Sequence, residues 1–428
     1  MLLTQDPDAT FPARADVVVI GGGVVGVTAA LFLARAGVSV VLVEKGRVAA
    51  EQSSRNWGWI RKQGRDPIEL PLMIESEREW KSIAAPIAKE IRMAVVGTTY
   101  LAMDDTEFAA RRDWVESARG FQLDCKVLGS AETDALLGRD DRRFKGAIHT
   151  ASDMTAEPGL AVPALGRLAR EAGATLIEGC AARGVERSGG RVSHVVTERG
   201  AIACDSVILG GGAWSRTFLE NMGIFIPQLG VRSTVLRTTP GPEIHPGGLG
   251  ATSASLRRRG DGGYTIGRTH AARFDLIPAA FRHFRAYIPQ MKLRWNTMQL
   301  RAGAEFFGDL GHGRWSLDQE SPFERTRVLD PAPNTALARN MLTSAKALHP
   351  QLGNIQIAGT WAGMIDVTPD ELPIIDEMPG CAGLWVATGL SGHGFGIGPG
   401  VGRVVAELAT ARNPIVDTAP FALSRFAA

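Results

Sequence analysis

Short runs of apolar residues alternate with a helical pattern at the start of the chain. Residues 16–20 and 38–43 are dominated by β-branched side chains, and each run has the length of one buried parallel strand. Between them, residues 27–36 are rich in alanine and leucine, and Gly37 ends this stretch as glycine often ends a helix. The pattern predicts a strand, a helix and a second strand in a βαβ unit.

The same apolar character returns far along the chain. Residues 205–209 and 383–388 are further candidates for buried strands, and each meets a glycine-rich loop. Between about residues 227 and 313 the pattern alternates and turns are frequent, which predicts an antiparallel sheet with one helix at 278–288. Further helices are predicted at residues 67–90, 158–172, 331–349 and 398–411.

The two kinds of pattern are interleaved in the sequence. We therefore predict an α/β plus α+β fold, in which a Rossmann-type domain alternates along the chain with a domain built on an antiparallel sheet. The first domain comprises residues 1–65, 150–230 and 350–428, and the second comprises residues 66–149 and 231–349.

Composition and charge exclude several classes of protein. The 428 residues are 45% hydrophobic and 21% charged, with a formal net charge of +2, which argues against a nucleic-acid partner. The four cysteines are scattered without a Cys-x-x-Cys pair, so neither a zinc site nor a disulfide framework is indicated, and we predict no metal. Residues 1–14 lack a signal-peptide pattern and no apolar stretch is long enough for a transmembrane segment, so we expect a cytoplasmic protein.

A glycine loop follows the first predicted strand. In Gly21-x-Gly23-x-x-Gly26, the first glycine makes a tight turn, the second lets a pyrophosphate approach, and the third lets helix and strand pack closely. The phosphates would then lie at the helix N-terminus. Glu44 ends the second strand, where a carboxylate accepts hydrogen bonds from ribose hydroxyls. The loop predicts a dinucleotide site and disfavours NADP, but it does not separate NAD from FAD.

Four further segments carry a resemblance to a known family: AAEQSSRNWGWIR at 49–61, VILGGGAWS at 207–215, WAGMIDVTPDELPIID at 361–376 and ATGLSGHGFG at 387–396. Together they resemble the amine-oxidising FAD family that includes glycine oxidase, D-amino acid dehydrogenase and the sarcosine oxidases. The resemblance covers nearly the whole chain and is weakest from 240 to 340. Residues 361–370 are most similar to the β subunit of heterotetrameric sarcosine oxidase.

The resemblance implies a glutathione-reductase-like FAD-binding domain interleaved with a substrate-binding domain. It implies that the backbone of Ala182 contacts the adenine, and that residues 390–397 face the flavin pyrimidine edge, where a helix N-terminus stabilises negative charge. The residues expected to contact or shape the FAD site are Gly21, Gly23, Val24, Val25, Gly26, Glu44, Lys45, Gln52, Ser53, Ser54, Asn56, Gly58, Trp59, Ile60, Ala182, Gly211, Gly212, Trp214, Gly363, Gly389, Ser391, Gly392, His393, Gly394, Phe395 and Gly396.

The chain departs from the family at three positions. Ile365 stands where glycine oxidase has an arginine, and Gly396 stands where monomeric sarcosine oxidase has a lysine that binds the substrate carboxylate. Gly363 stands where the same enzyme attaches its flavin through a cysteine, so we expect non-covalent FAD. Arg61 matches an arginine that binds carboxylate in the sarcosine oxidases and is the remaining anchor, although it could instead pair with a nearby acid.

Four residues are the candidates at the reacting centre: Arg61, His393, Trp361 and His270. Of these, His393 is better explained as part of the cofactor loop than as a base. Lys62, Arg257 and Arg268 are weaker candidates for a second contact with an anionic substrate.

The predicted function is FAD-dependent oxidation of the C–N bond of a small amino acid, with O2 or another electron acceptor reoxidising the flavin. A secondary amine such as sarcosine, iminodiacetate or an N-alkyl amino acid is favoured. The alternatives are a D-amino acid or glycine oxidase or dehydrogenase, an electron-passing β-type subunit of a larger complex, and a non-catalytic nucleotide-binding regulator. The oligomeric state is left open.

Overall fold

The computed structural model describes residues 11–269, 272–294, 298–311 and 314–426. Its α-helices are α1 Val24–Arg35, α2 Gln52–Arg55, α3 Leu70–Ile83, α4 Asp105–Ser117, α5 Ser130–Leu137, α6 Pro158–Glu171, α7 Ser215–Asn221, α8 Pro278–Arg282, α9 Phe284–Arg294, α10 Pro322–Arg325, α11 Thr335–Leu348 and α12 Gly394–Ala409. Its strands are β1 Val17–Ile20, β2 Val40–Glu44, β3 Trp59–Ile60, β4 Ala94–Val95, β5 Thr98–Ala102, β6 Cys125–Gly129, β7 Gly146–Thr150, β8 Met154–Thr155, β9 Thr175–Glu178, β10 Ala182–Ser188, β11 Arg191–Thr197, β12 Gly200–Ala203, β13 Ser206–Leu209, β14 Leu229–Thr238, β15 Gly248–Gly250, β16 Ser255–Arg258, β17 Tyr264–Gly267, β18 Ala272–Asp275, β19 Met298–Arg301, β20 Ile357–Val367, β21 Ile374–Glu377 and β22 Leu384–Thr388.

A six-stranded sheet in the order β21-β22-β13-β1-β2-β9 forms the centre of the α/β part. All neighbours are parallel except β21, which is antiparallel to β22 at the edge. One face packs on α1, α6 and α12, and the other packs on the antiparallel sheet β10-β11-β12. Because both faces are covered, the strands are continuously apolar. The four strands predicted in separate parts of the sequence lie side by side here, which confirms the Rossmann-type core.

The second large sheet has ten strands and is mostly antiparallel, as predicted. Its order is β19-β18-β14-β17-β16-β15-β5-β7-β6, and β20 pairs with β14. Parallel pairs occur at β15 with β5 and at β18 with β19. Helix α11 buries Ala338, Met341 and Ala345 against this sheet, which gives it a core separate from that of the six-stranded sheet.

Strand β20 is where the structure differs most from the sequence-based prediction, because it belongs to the ten-stranded sheet. Residues 350–428 were assigned to the Rossmann-type domain, but β20 pairs with β14 from Leu229↔Val367 to Thr238↔Ile357. The segment was interpreted as a motif and not as a strand. The domain bounds remain a prediction. The helix expected at 278–288 is divided into α8 and α9 at His283.

Two absences concern only the parts of the chain that the structure describes. Within those ranges, no helix is long and apolar enough to cross a bilayer. No group of histidine, cysteine, aspartate and glutamate side chains in the same ranges is arranged to hold a metal ion.

Candidate FAD site and adjoining cavity

The two central glycine loops touch through their backbones. Gly21 has φ +109°, and a Cβ added there would lie 2.6 Å from the carbonyl oxygen of Gly210, in the loop that follows β13. A Cβ on Gly26 would lie 2.0 Å from the carbonyl oxygen of Gly21. No side chain fits at either position, because a real Cβ does not approach an oxygen so closely. This close packing brings the start of α1 against the ends of β1 and β13.

The N-terminus of α1 faces the space that these loops leave. Its N-cap residue is Gly23, which supplies no side chain, and the backbone N–H of Val24 donates to Ser53 Oγ at 2.9 Å. Glu44, at the end of β2, accepts from the backbone N–H groups of Gly22 and Gly46, both at 2.7 Å. Burial raises the pKa of Glu44 to about 7, although both hydrogen bonds lower it. An anion-binding helix end and a buried acid thus lie on one cavity.

This cavity, which we call the cofactor cavity, measures about 1220 Å³ including its solvent-open part. It runs from the carboxyl ends of β1 and β2 to the start of α12. The predicted FAD residues that line it are Gly21, Gly23, Val24, Val25, Glu44, Lys45, Gln52, Ser53, Asn56, Ala182, Gly211, Gly212, Trp214, Gly392, Gly394 and Phe395. Residues from five separate parts of the sequence (21–25, 44–56, 182, 211–214 and 392–395) therefore meet on one surface.

A second cavity, which we call the adjoining cavity, meets the cofactor cavity at Gln52, Asn56, Gly392 and Phe395, which line both. Its walls come from β3, β14, β18, α9, β20 and the loop after β22. Four more of the predicted FAD residues line only this cavity: Trp59, Gly363, Ser391 and His393. The other six, Gly26, Ser54, Gly58, Ile60, Gly389 and Gly396, line neither cavity.

The candidates at the reacting centre are separated by the structure. Arg61 and His393 line the adjoining cavity. Trp361 lines neither cavity, and its indole N–H donates to the carbonyl of Arg55 at 2.9 Å, so its expected place against the substrate is not where the structure puts it. His270 lies outside the described residues.

Arg61 is half-buried and has no carboxylate within ion-pair distance among the described residues. Its guanidinium donates to the carbonyl of Gln63 and lies over the rings of Trp59 and Tyr100, 5.7 and 5.2 Å from their centroids. The alternative that it pairs with a nearby acid is not what the geometry shows. Arg268 also lines the adjoining cavity, without a partner among the described residues.

The other two cationic candidates, Lys62 and Arg257, form ion pairs within the protein. Lys62 forms a buried ion pair with Glu77, and Arg257 forms one with Glu157 at 3.0 Å. Neither lines a cavity in the described structure.

Asp366 organises the loop after β22, and the sequence analysis gave it no role. Its Oδ2 accepts from the backbone N–H groups of Gly389 and Leu390 at 2.7 and 3.3 Å, and from the hydroxyl of Thr388 at 3.3 Å. Burial raises the pKa of this carboxyl. Ser391 completes the turn with φ +48°, and its backbone N–H donates to the carbonyl of Asp366 at 2.8 Å. The aspartate inside the quoted segment 361–376 was the available signal.

Arg65 and Glu69 form a second feature that the sequence analysis missed. Both are buried, and Glu69 lies within 3.1 Å of His393 Nδ1. Burial and the neighbouring Arg61 lower the pKa of Arg65 to about 10. Burial also lowers the pKa of His393, so its ring is neutral near pH 7. The signal in the sequence was an arginine four residues after Arg61, in the same loop.

The residues of the cofactor cavity fit FAD. The junction of the two cavities holds a buried acceptor, Gln52 Oε1, without a hydrogen-bond partner among the described residues. Gly212 has φ +52° and open space where a Cβ would point. A long cavity with a helix N-terminus, a half-buried acid and an unsatisfied acceptor suits a dinucleotide that extends to the adjoining cavity. The fold and the two cavities thus define a protein with a dinucleotide site that opens onto a second ligand cavity.

Comparisons with known proteins identify the class more closely. The family model described as FAD dependent oxidoreductase, DAO, matches residues 16–408. Glycine oxidase of Pseudomonas aeruginosa is 27% identical over 95% of this chain and 98% of its own, and sarcosine oxidase subunit beta of Rhizobium meliloti is 25% identical over 96% and 88%. The structure of L-amino acid deaminase from Proteus myxofaciens in complex with anthranilate matches with a TM-score of 0.93 and 28% identity, covering 99% of this chain and 96% of that one.

The chain belongs to the DAO family of FAD-dependent oxidoreductases. The predicted family, the FAD cofactor and the assignment as an enzyme are confirmed by this match and by the relatives. The roles of individual site residues remain predictions.

Proposed function

We propose that this oxidoreductase removes the α-amino group of an L-amino acid with a large apolar side chain. The observation that carries the proposal is the wall of the adjoining cavity, which is lined by Trp57, Trp59, Phe274 and Tyr287 together with aliphatic side chains of β14 and β20. Pockets lined mainly by apolar and aromatic side chains suit ligands with apolar groups, and glycine or sarcosine has no side chain to contact these walls.

Aromatic side chains support a large substrate. Trp57 and Trp59 stand edge to face in the cavity wall, with ring centroids 5.4 Å apart. The hydroxyl of Tyr287 donates to the carbonyls of Val367 and Pro227 at 2.7 and 3.0 Å, so the ring is the part available to the cavity. Such walls suit an aromatic or long aliphatic side chain.

An amino acid also brings a carboxylate, which needs a cation. Arg61 supports this requirement because its guanidinium lies at the cavity, between two aromatic rings, without an acidic partner among the described residues. The planar fork of an arginine donates to both oxygens of a carboxylate. We propose Arg61 as the anchor, as its resemblance to the sarcosine oxidases implies.

Bound FAD would supply the redox chemistry by taking a hydride from the carbon that carries the amine, leaving an imine that water hydrolyses. The residues of the chain bind the amino acid, orient that carbon and exclude bulk water. His393 already engages Glu69 through Nδ1, so we propose it as a positioning residue of the loop and not as a base. Reoxidation by O2 or another acceptor is part of the same proposal.

The L configuration of the substrate is proposed from the similar structure of L-amino acid deaminase from Proteus myxofaciens. A second candidate is the secondary amine that the sequence favours. It is supported by residues 361–370 and by a relative named sarcosine oxidase subunit beta. An N-methyl L-amino acid with a bulky side chain would satisfy both the cavity and this segment.

A panel of amines tests both candidates through anaerobic reduction of the bound flavin. The panel contains L-phenylalanine, D-phenylalanine, N-methyl-L-phenylalanine, glycine and sarcosine, and peroxide is measured separately in air. We expect L-phenylalanine to reduce the flavin fastest and the two small amines slowest. Fastest reduction by the N-methyl compound would select the second candidate, and fastest reduction by sarcosine would contradict the inference from the apolar cavity walls.

A further inference from the structure

The loop between β3 and α3 carries a buried arginine on the wall of the adjoining cavity. Arg65 is only 3% exposed and lines the cavity together with Arg61 and His393. Its backbone is fixed at both ends, because its N–H donates to the carbonyl of Lys62 at 3.1 Å and its carbonyl accepts from the indole of Trp114 at 2.8 Å. The side chain is therefore held at the cavity by a rigid loop.

The guanidinium of Arg65 has more donors than the protein satisfies. Its Nε donates to the carbonyl of Arg61 at 3.3 Å and lies 3.7 Å from the carboxylate of Glu69. Its Nη1 is buried and has no hydrogen-bond partner among the described residues. A guanidinium carries five N–H donors, and a buried donor of a charged group is costly to leave unpaired. The guanidinium therefore has donor capacity that the described residues do not use, on a side chain that lines the cavity.

The charges around Arg65 leave an excess of one positive charge. Arg61 and Arg65 are both cationic, whereas Glu69 is the single acid in contact with Arg65, and it is shared with neutral His393. Asp153 also acts on Arg65 from a distance, but its carboxylate accepts from the backbone N–H of Lys62 at 2.8 Å. A buried excess charge is stabilised by a paired counter-ion, so an anion is expected here.

Gly396, in the first turn of α12, leaves room for this arginine. A Cβ at that position would lie 3.7 Å from Arg65 Nη2 and 3.3 Å from the sulfur of Met73. A long side chain at 396 would compete with the guanidinium for the same space. The absence of a side chain lets Arg65 reach the cavity wall beside the loop that contains His393.

We propose that Arg65 is a second binding residue for the substrate carboxylate, acting together with Arg61. Glu69 is its positioning residue, because it contacts both Arg65 and His393 and so ties the anion-binding end of the cavity to the loop after β22. This inference rests on the proposed function, since it requires that the ligand carry a carboxylate.

Benzoate is the probe, because it combines a carboxylate with an apolar ring, and benzamide is the matched neutral ligand. Each is titrated against the FAD-loaded protein and followed by the change in flavin absorbance, without turnover. Arg65→Met should raise the Kd of benzoate by roughly thirty-fold or more, the loss expected for a buried charge pair, and leave that of benzamide within about threefold. Arg65→Lys should recover part of the affinity, because lysine keeps the charge and loses the fork.

Arg216→Met is the matched control. Arg216 is equally buried, pairs with Glu220 at 2.8 Å and lines neither cavity in the described structure. It should lower the melting temperature without changing the Kd of benzoate. A Kd for benzoate within about threefold of wild type in folded, FAD-loaded Arg65→Met would overturn the proposal. If Arg65→Met does not hold FAD, Arg65→Lys provides the test, because it lacks the guanidinium fork. An unchanged Kd of benzoate in Arg65→Lys would then overturn the proposal.

The two proposals fail in different measurements. If no bulky amino acid reduces the flavin but benzoate affinity depends on Arg65, the substrate proposal fails and the anion site stands. If L-phenylalanine reduces the flavin and Arg65→Met changes neither its KM nor the Kd of benzoate, the substrate proposal stands and the role of Arg65 is wrong.

Discussion

The cofactor cavity and the adjoining cavity share a few lining residues, but backbone forms most of the first and side chains form most of the second. The cofactor cavity is formed largely by backbone, at the glycine loops after β1 and β13, with one buried carboxylate at the end of β2. The adjoining cavity is formed mainly by side chains that come from helices, strands and loops far apart in the sequence. One cavity depends on the absence of side chains, and the other depends on which side chains are present.

This difference determines how each cavity responds to change. A Cβ at Gly21 or Gly26 collides with a backbone carbonyl oxygen, and no rotation of a neighbouring side chain relieves that collision. An exchanged side chain in the adjoining cavity alters size or charge and leaves the backbone in place. The first cavity should therefore be nearly constant wherever FAD is bound, and the second should set the substrate. Five measurements test this contrast.

The largest effect is expected for Gly26→Val. The added Cβ would lie 2.0 Å from the carbonyl oxygen of Gly21, so α1 must move away from β1 and the phosphate site is lost. We expect protein without FAD, or no soluble protein, by absorbance and by yield. Gly159→Ala is the control, since its Cβ meets nothing within 4 Å in α6, and it should bind FAD normally. Normal FAD content in Gly26→Val would contradict the inference that the cofactor cavity does not tolerate a side chain at this position.

Arg61→Met tests the adjoining cavity. It should leave FAD bound, because the side chain lines only that cavity, and it should remove a charge-assisted pair with the substrate. The expected loss is about 2–5 kcal/mol, or roughly thirty-fold to several-thousand-fold in kcat/KM, with partial recovery in Arg61→Lys. Full FAD content with a near-normal kcat/KM would mean that another group holds the carboxylate.

The same contrast explains how much could be predicted from the sequence. Gly21, Gly23, Gly26 and Glu44 follow one another in a short segment, and their spacing has one physical explanation, so the cofactor cavity was predictable. The parallel strands were predictable because they are buried on both faces and carry continuous apolar runs.

The adjoining cavity could not be predicted in the same way, because its walls come together only in the tertiary structure. Phe274 and Tyr287 lie in the region where the resemblance is weakest, and no local pattern marks them as lining residues. Arg65 was missed because its burial beside Glu69 and His393 depends on the tertiary structure. Trp361 was chosen for its motif, but its register in β20 directs its indole to a backbone carbonyl.

Glu44→Ala tests whether the buried acid contributes to FAD affinity. It should weaken binding by about 1.5–3 kcal/mol for each charge-assisted bond to ribose that is lost, roughly ten- to hundred-fold in Kd. Substrate KM in FAD-saturated enzyme should not change. Asp205→Ala is the control, because Asp205 pairs with exposed Arg14 and lines neither cavity in the described structure. An unchanged FAD titration in Glu44→Ala would mean that Glu44 is not the ribose ligand.

The raised pKa of Glu44 predicts opposite pH effects on FAD affinity and on apo-protein stability. Burial raises this pKa from 4.5 to about 7, so protonation of Glu44 stabilises the folded apo-protein. This contribution to stability is complete below pH 4.5 and is lost as the pH rises through 7. Ribose hydroxyls favour the charged form, so FAD affinity should fall from pH 8 to 6, by at most about tenfold per pH unit. Both slopes should flatten in Glu44→Gln, as measured by FAD titration and apo-protein melting.

The smallest effect on kcat/KM is expected for Trp361→Phe. This variant tests whether the adjoining cavity extends to Trp361. Trp361 pairs with Val235 across β20 and β14, and Val235 lines the cavity whereas Trp361 does not. The substitution removes one hydrogen bond to the carbonyl of Arg55, which should lower stability by about 0.5–1.5 kcal/mol, with kcat/KM within about twofold of wild type.

Trp59→Phe is the paired variant for Trp361→Phe, because Trp59 lines the cavity and its indole N–H has no partner among the described residues. Its effect on KM should exceed that of Trp361→Phe, whose effect should appear in the melting temperature alone. Both substitutions replace an indole by a phenyl ring. The difference between their effects on KM therefore reports contact with the cavity and not the loss of an indole nitrogen as such. A tenfold or larger fall in kcat/KM for Trp361→Phe would return Trp361 to the reacting centre and extend the cavity along β20 in the substrate-bound enzyme.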